Sequence, residues 1–123
     1  MAAQFHLADL FETVAAQIPD RIAIKSDAGH LSYADLNARA DHIASGLWDR
    51  GVRRGDSVGL YMMNGPEYLE SLFAAFKIGA VPFNVNYRYR AEELRYLFDN
   101  AQAVAVIHGA EFSPVMEDVR GDL

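Results

Sequence analysis

Asn86, Tyr87 and Arg88 stand together in the stretch NVNYRYR and offer a carboxamide, an aromatic face and a guanidinium. A guanidinium fork grips phosphate or carboxylate through paired N–H groups, and an aromatic ring stacks on a flat ligand or on the guanidinium itself. The trio could therefore hold a phosphate or the polar tail of a ligand. A plainer use is a solvated loop in which Arg88 and Arg90 pair with Glu92 and Glu93. Two other polar stretches invite the same question. MMNGPE reads first as a turn with Asn64 as a helix cap. A helix start also attracts anions, but no Gly-x-Gly-x-x-Gly and no lysine accompany it. HGAEF sets His108 in a loop with no adjacent carboxylate or nucleophile, so it reads as a loop histidine. His6, His30 and His42 lack metal-ligand spacing. A Gly-Lys-Ser/Thr loop, a nucleophile elbow and a cluster of acids for magnesium are all missing from the sequence, and Thr13 is its single threonine.

The composition narrows the classes further. The 123 residues fit one domain of ordinary size, and 51% hydrophobic with 23% charged residues is a globular balance. A net charge of -6 without a long basic block is unsuited to nucleic acid, whose affinity rests on phosphate neutralisation. With no cysteine there is neither a disulfide framework nor a thiolate, which suits a cytoplasmic enzyme. The opening MAAQFHLADLFE lacks a basic segment and carries early acids, so no signal or transit peptide is expected. SLFAAFKIGAVPF, the most apolar stretch, falls well short of the roughly 20 residues a membrane span needs.

The elements that must carry these polar loops follow from periodicity and punctuation. Leu7, Leu10, Phe11, Val14 and Ile18 recur at helical spacing, and Pro19 ends that helix. RIAIKSD and LSY read as a β-hairpin, with Ile22 and Ile24 on one face. Ser32 and Asp35 form a capping-box start to a helix whose stripe is Leu36, Ala40, Ile43 and Leu47, closed by Gly51. The basic turn VRRGD leads to a buried strand, SVGLYM. Asn64 and Pro66 open the next helix, whose core face is read as Leu69, Leu72, Phe73 and Phe76, with Lys77 at its negative end and Gly79 as its stop. AVPFNV is a second strand with Pro82 at its start. AEELRYLFDN is a helix opened by Glu92 and Glu93 and closed by Asn100. AVAVIH is a third buried strand, and EFSPVMEDV begins a short helix. From Val58 the order is β-α-β-α-β with near-continuous apolar strands. That predicts an α/β fold: a parallel βαβαβ sheet covered on both faces, preceded by a helix and a hairpin. Ligands of such sheets collect beyond the carboxyl ends of the strands, where all three polar stretches fall.

Several phrases in this order resemble the N-terminal region of the adenylate-forming acyl-CoA synthetases, a superfamily that includes peptide-synthetase adenylation domains and firefly luciferase. LSYADL is similar to the first family block, FAAFKIGAVPFNVN to the second, and RGDSVGL to a recurrent phrase between them. NVNYRYRAEELRYLFDNA looks closest to bacterial fatty-acid or steroid-side-chain CoA ligases. The likeness runs from about Leu7 to the end, so residues 1–123 read as the N-terminal segment of the family's large domain.

The resemblance implies an enzyme that activates a carboxylate with ATP and Mg2+ as an acyl adenylate and then transfers the acyl group to CoA. It implies no catalytic residue and no metal ligand in this stretch. The family's phosphate loop, its adenylate- and magnesium-binding block, its ribose-binding Asp and its C-terminal lid with a catalytic Lys all come later. Asn86, Tyr87 and Arg88 would then line a CoA-side path. Some relatives place arginines for the CoA 3′-phosphate after the strand matching AVAVI, where this chain has HGAEFSPV, so that contact does not transfer. The 123 residues alone are expected to be inactive and to need no cofactor. With a sheet edge left open, they are also expected to self-associate or swap elements. The alternatives are part of an acyl-AMP ligase or carrier-protein adenylation domain, a stand-alone binding or interaction module, or an unrelated receiver- or flavodoxin-like domain. The last lacks the acidic cluster or phosphate turn it would need.

Overall fold

The computed structural model describes residues 2–26, 29–63 and 65–120, with side-chain surroundings for all of these except residues 2–8 and Ser26. The elements are α1 (Ala2–Gln17), β1 (Ile22–Ser26), β2 (Gly29–Ser32), α2 (Tyr33–Asp49), β3 (Ser57–Tyr61), α3 (Pro66–Lys77), β4 (Val81–Asn84), α4 (Ala91–Ala101) and β5 (Ala103–His108), then a 3-10 turn (Ala110–Phe112) and α5 (Ser113–Arg120). The antiparallel pair β1–β2 stands apart from a parallel sheet of order β4-β3-β5. The βαβαβ reading is therefore correct.

Alternation along the central strand divides the core. Val58 and Leu60 face one cluster with Ala44, Leu47, Ala74 and Ala75, from α2 and α3. Tyr61 faces the other with Leu94, Phe98, Phe112 and Val119, from α4, the 3-10 turn and α5. The chain thus leaves β3 along one face to reach β4 and crosses the other face to reach β5 on β3's far side. Opposite faces combined with opposite directions give both crossovers one hand, as strand twist demands. Gly59 lies between Val58 and Leu60, and a Cβ there would stand 3.0 Å from the Phe83 ring and 3.4 Å from the Phe98 ring. Both rings lie tight against the sheet because this residue has no side chain.

Local grammar fixes most boundaries. Ser32 Oγ accepts the Asp35 amide at 3.1 Å to cap α2, and Gly51 follows its C-terminus with φ 100°. Pro82 sits within β4, an edge strand, where a missing N–H costs least. The helical position Leu7 lies among the side chains outside the description, and the Asn64 cap lies outside the described residues.

Four readings need correction. Leu10 is 62% exposed, while α1 buries Phe11 and Ala15. The β1–β2 register slips between Ile22 and Ile24, which leaves Ile22 46% exposed, so the two do not share one buried face. α4 continues past Asn100 to Ala101 and ends on Gln102, whose φ of 53° turns the chain directly into β5. The α3 stripe is also displaced: Leu69 is 36% exposed, whereas Glu70, Ser71, Ala74 and Ala75 are buried. α3 lies between two layers, so its small residues take the close approach to β3. Phe73 lies in the seam with α1, where it stacks on Phe11 at 4.1 Å.

Lys77 has a larger role than helix-end complementarity. Its ammonium meets Glu12 Oε1 at 2.7 Å, Asp41 Oδ1 at 2.8 Å and Asn37 Oδ1 at 2.7 Å, and its side chain is 6% exposed. One cation so joins α1, α2 and α3.

Candidate functional site

The loops after β3, β4 and β5 share the carboxyl edge of the sheet, and those after β3 and β4 depart toward opposite faces. The neighbouring strands β3 and β5 also send their following helices to opposite faces, and it is at such a pair that doubly wound sheets bind ligands. Asn86, Tyr87 and Arg88 form one turn beyond β4, on the other side of β3. Val85 is buried, and its amide donates to Leu60 O at 3.1 Å, carrying the ladder one residue beyond β4. Asn86 Oδ1 then accepts the Arg88 amide at 2.9 Å, and Asn86 O accepts the Tyr89 amide at 3.0 Å. This is an Asx turn, which the residue order Asn-x-Arg builds locally. The Asn86 side-chain oxygen is spent on the turn, leaving its Nδ2 donors for a ligand. The Arg88 guanidinium lies 5.4 Å from the centroid of the Tyr87 ring, and Tyr87 is 39% exposed. The three residues are brought together, with the cation set over the ring of an exposed tyrosine.

The plainer reading of this loop is only partly realised. Glu93 Oε2 accepts the Arg90 backbone amide at 3.4 Å, and Arg90 Nη1 donates to Tyr89 O at 3.3 Å. Among the described residues, the ion pairs do not join Arg88 or Arg90 to Glu92 or Glu93. Glu93 serves the start of α4 instead, where a carboxylate satisfies an open amide.

Two tyrosines brace the same edge. The Tyr61 hydroxyl donates to Tyr89 O at 2.6 Å, and the Tyr68 hydroxyl donates to Asn84 Oδ1 at 3.1 Å. On the β5 side, His108 Nδ1 is 2.9 Å from Gly109 O. A carbonyl only accepts, so Nδ1 is the donor in this contact. Met62, Met63, Glu67, Glu70, His108 and Glu111 help to line a cleft of about 500 Å³ at this end.

Glu70 is the residue that sequence reasoning missed. Its side chain is 8% exposed, and Oε2 sits 3.5 Å from Arg39 Nη1, an ion-pair distance too long to count as a made hydrogen bond. Burial raises its carboxyl above the ordinary 4.5; Arg39 opposes the rise and Glu67 adds to it. Its one sequence signal was an acid flanked by Leu69 and Ser71-Leu72, which suited a solvent face equally well.

The groups can be tested against ATP, Mg2+ and CoA. Among the described residues, no three His, Cys, Asp or Glu side chains are grouped so that they could hold a metal ion. A guanidinium, an aromatic face and a free carboxamide donor do fit a ligand that joins phosphate to a flat ring, the chemistry of the nucleotide end of CoA. Among the described residues, no helix is long and apolar enough to cross a membrane.

Element order and sheet topology together define an α/β domain of the doubly wound kind. The chain belongs to the AMP-binding enzyme family, whose profile matches residues 11–122. It is 43% identical over 114 residues to a 3-oxocholest-4-en-26-oate–CoA ligase of Rhodococcus rhodochrous, covering 93% of this chain and 20% of that protein. It is 39% identical over 122 residues to a medium/long-chain-fatty-acid–CoA/3-oxocholest-4-en-26-oate–CoA ligase of Mycobacterium marinum, covering 99% of this chain and 22% of that one. Among solved structures, a Mycobacterium tuberculosis fatty acyl CoA synthetase superposes with a TM-score of 0.85 at 30% identity, over 92% of this chain and 23% of that chain. The chain thus spans about a fifth of the length of the curated relatives it matches.

Proposed function

We propose that this chain forms part of the large domain of an ATP-dependent acid–CoA ligase acting on fatty or steroid-side-chain acids. In the first step a carboxylate oxygen attacks the α-phosphorus of ATP, forming an acyl adenylate and releasing pyrophosphate. In the second, the CoA sulfur attacks the acyl carbon, AMP departs and the thiol proton passes to solvent. The contribution of these residues is to binding: the Arg88 guanidinium meets a CoA phosphate, the Tyr87 ring stacks on a flat group, and Asn86 Nδ2 donates beside them. The observation that carries this reading is 43% identity to a steroid-acid CoA ligase over 93% of the chain. The turn geometry supports it, because it sets a cation over an exposed tyrosine ring at the carboxyl edge.

The test uses a hybrid in which this chain replaces the matching segment of the M. marinum ligase. The hybrid should catalyse ATP–pyrophosphate exchange with fatty or steroid acids and form the CoA thioester. Arg88→Ala should raise the KM for CoA about tenfold, the loss of one charge-assisted contact, with a much smaller change in kcat. An unchanged KM for CoA would remove the turn from the CoA path. Exchange without thioester formation would favour an acyl-AMP ligase. The 123 residues alone should give no exchange, because the reactive motifs of the family have no counterpart in this sequence. Exchange by the isolated chain would overturn that expectation.

A further inference from the structure

We propose that Tyr61 is the positioning residue for Arg88, holding the Asn86–Arg90 turn in the stance that presents its guanidinium. The proposal rests on the reading of that turn as CoA-side. Tyr61 is fully buried at the carboxyl end of the central strand, and three of its parts hold three different things. Its hydroxyl donates to Tyr89 O at 2.6 Å, across 28 residues of sequence. Its carbonyl accepts the Gly109 amide at 3.1 Å, and its ring stacks on Phe112 at 4.4 Å. The ring is therefore fixed by the β5 turn while its hydroxyl fixes the β4 turn.

The Tyr89 carbonyl lies one residue beyond Arg88. Inside the turn, the backbone bonds of Arg88 and Tyr89 are local, from Asn86 and from the Arg90 guanidinium. An Asx turn alone leaves its orientation relative to the sheet undetermined, since both partners move with it. Val85 ties the start of the turn to Leu60 O on β3, and the Tyr61 hydroxyl ties its far end, next to Arg88, to the same strand. Without that hydroxyl, the Asx turn opens more often, exposing the Arg88 and Tyr89 amides, and Arg88 loses its fixed direction. A rigidly aimed guanidinium binds an anion more tightly than one that must be ordered on binding.

The first experiment is amide hydrogen exchange on the 123-residue chain. Tyr61→Phe keeps the ring and its stack on Phe112 and removes only the oxygen. Exchange at Arg88 and Tyr89 should rise by about five- to tenfold, while Val85 and Gly109 keep their protection. Phe112→Leu, which loosens the ring and spares the hydroxyl, should release the same two amides by a smaller factor. It decides the matter if Tyr61→Phe fails to fold. Exchange unchanged at Arg88 and Tyr89, or raised equally across the sheet, overturns the proposal, because a purely structural hydroxyl behaves in those ways. The second experiment measures the KM for CoA in the hybrid ligase, where Tyr61→Phe should raise it about fivefold with a smaller change in kcat. If Arg88→Ala raises the KM for CoA and Tyr61→Phe does not, the positioning role falls and the CoA-side reading stands. If neither variant changes it, the CoA-side reading falls and takes the proposal with it.

Discussion

Replacing Lys77 by methionine should destabilise the protein by about 1–2 kcal/mol, and replacing it by alanine by about 2–4 kcal/mol. The ammonium has three donors, and all three are used, at 2.7 Å to Glu12, 2.8 Å to Asp41 and 2.7 Å to Asn37. Hydrogen bonds to charged groups contribute about 1.5–3 kcal/mol each before the cost of burying the ion, so the simple sum overstates the effect. Burying an ammonium that is only 6% exposed removes most of that sum. The acids left behind are 49% and 60% exposed and return to water, which excludes the larger penalty of an orphaned buried charge. Methionine retains an apolar stem in the seam near Phe11, whereas alanine also leaves a void there. Removing one acid at a time, by Glu12→Gln or Asp41→Asn, should cost only about 0.5 kcal/mol, because two partners remain. Urea unfolding followed by circular dichroism would measure the series, with amide exchange along α1 showing whether that helix loosens first. A Lys77→Met protein as stable as the wild type would refute the reasoning. The three contacts would then do no more than offset desolvation, and the apolar seam alone would join the helices.

Two further predictions concern the core. Glu70 has its folded-state carboxyl raised by burial, so its ionised form opposes folding; that penalty is full above the raised value and vanishes as pH falls through it toward the ordinary 4.5. Glu70→Met should therefore stabilise the protein by about 1 kcal/mol at neutral pH, with the gain over wild type shrinking on acidification; a gain that grew toward low pH would reverse the assignment. Gly59→Ala should destabilise by about 1–3 kcal/mol, because its Cβ would press on Phe83 at 3.0 Å, and Phe83→Leu in the same chain should recover part of the loss. Thermal unfolding of the two single variants and the double variant tests this, and strict additivity would rule out the contact.

What could be read from the sequence was what the chain encodes over short distances. The Ser32 cap, the Gly51 reversal and the buried strand in SVGLYM depend on neighbours within a few residues, and all three stand in the structure. The order β-α-β-α-β followed from the same local signals. Lys77 could not be read in this way, because its partners lie 65 and 40 residues away on two other helices. Glu70 and the displaced face of α3 failed for a related reason. Helical periodicity finds the apolar stripe, but a helix packed on two sides buries its smallest residues deepest, wherever backbones come closest.

The Asn86 turn stands between these two cases. Its shape is local, since Asn86 bonds backbone groups only two and three residues ahead. That is why the phrase NVNYR could be picked out as a polar knot before any fold was known. Its direction is not local, because the bond that ties its far end to the sheet comes from Tyr61, whose ring is held in turn by Phe112. On the central strand, period-two alternation sends Tyr61 to the α4 and α5 face and Leu60 to the opposite one. A one-residue slip of β3 would exchange those faces and move the hydroxyl away from Tyr89. The register of a buried strand therefore decides where an exposed arginine points.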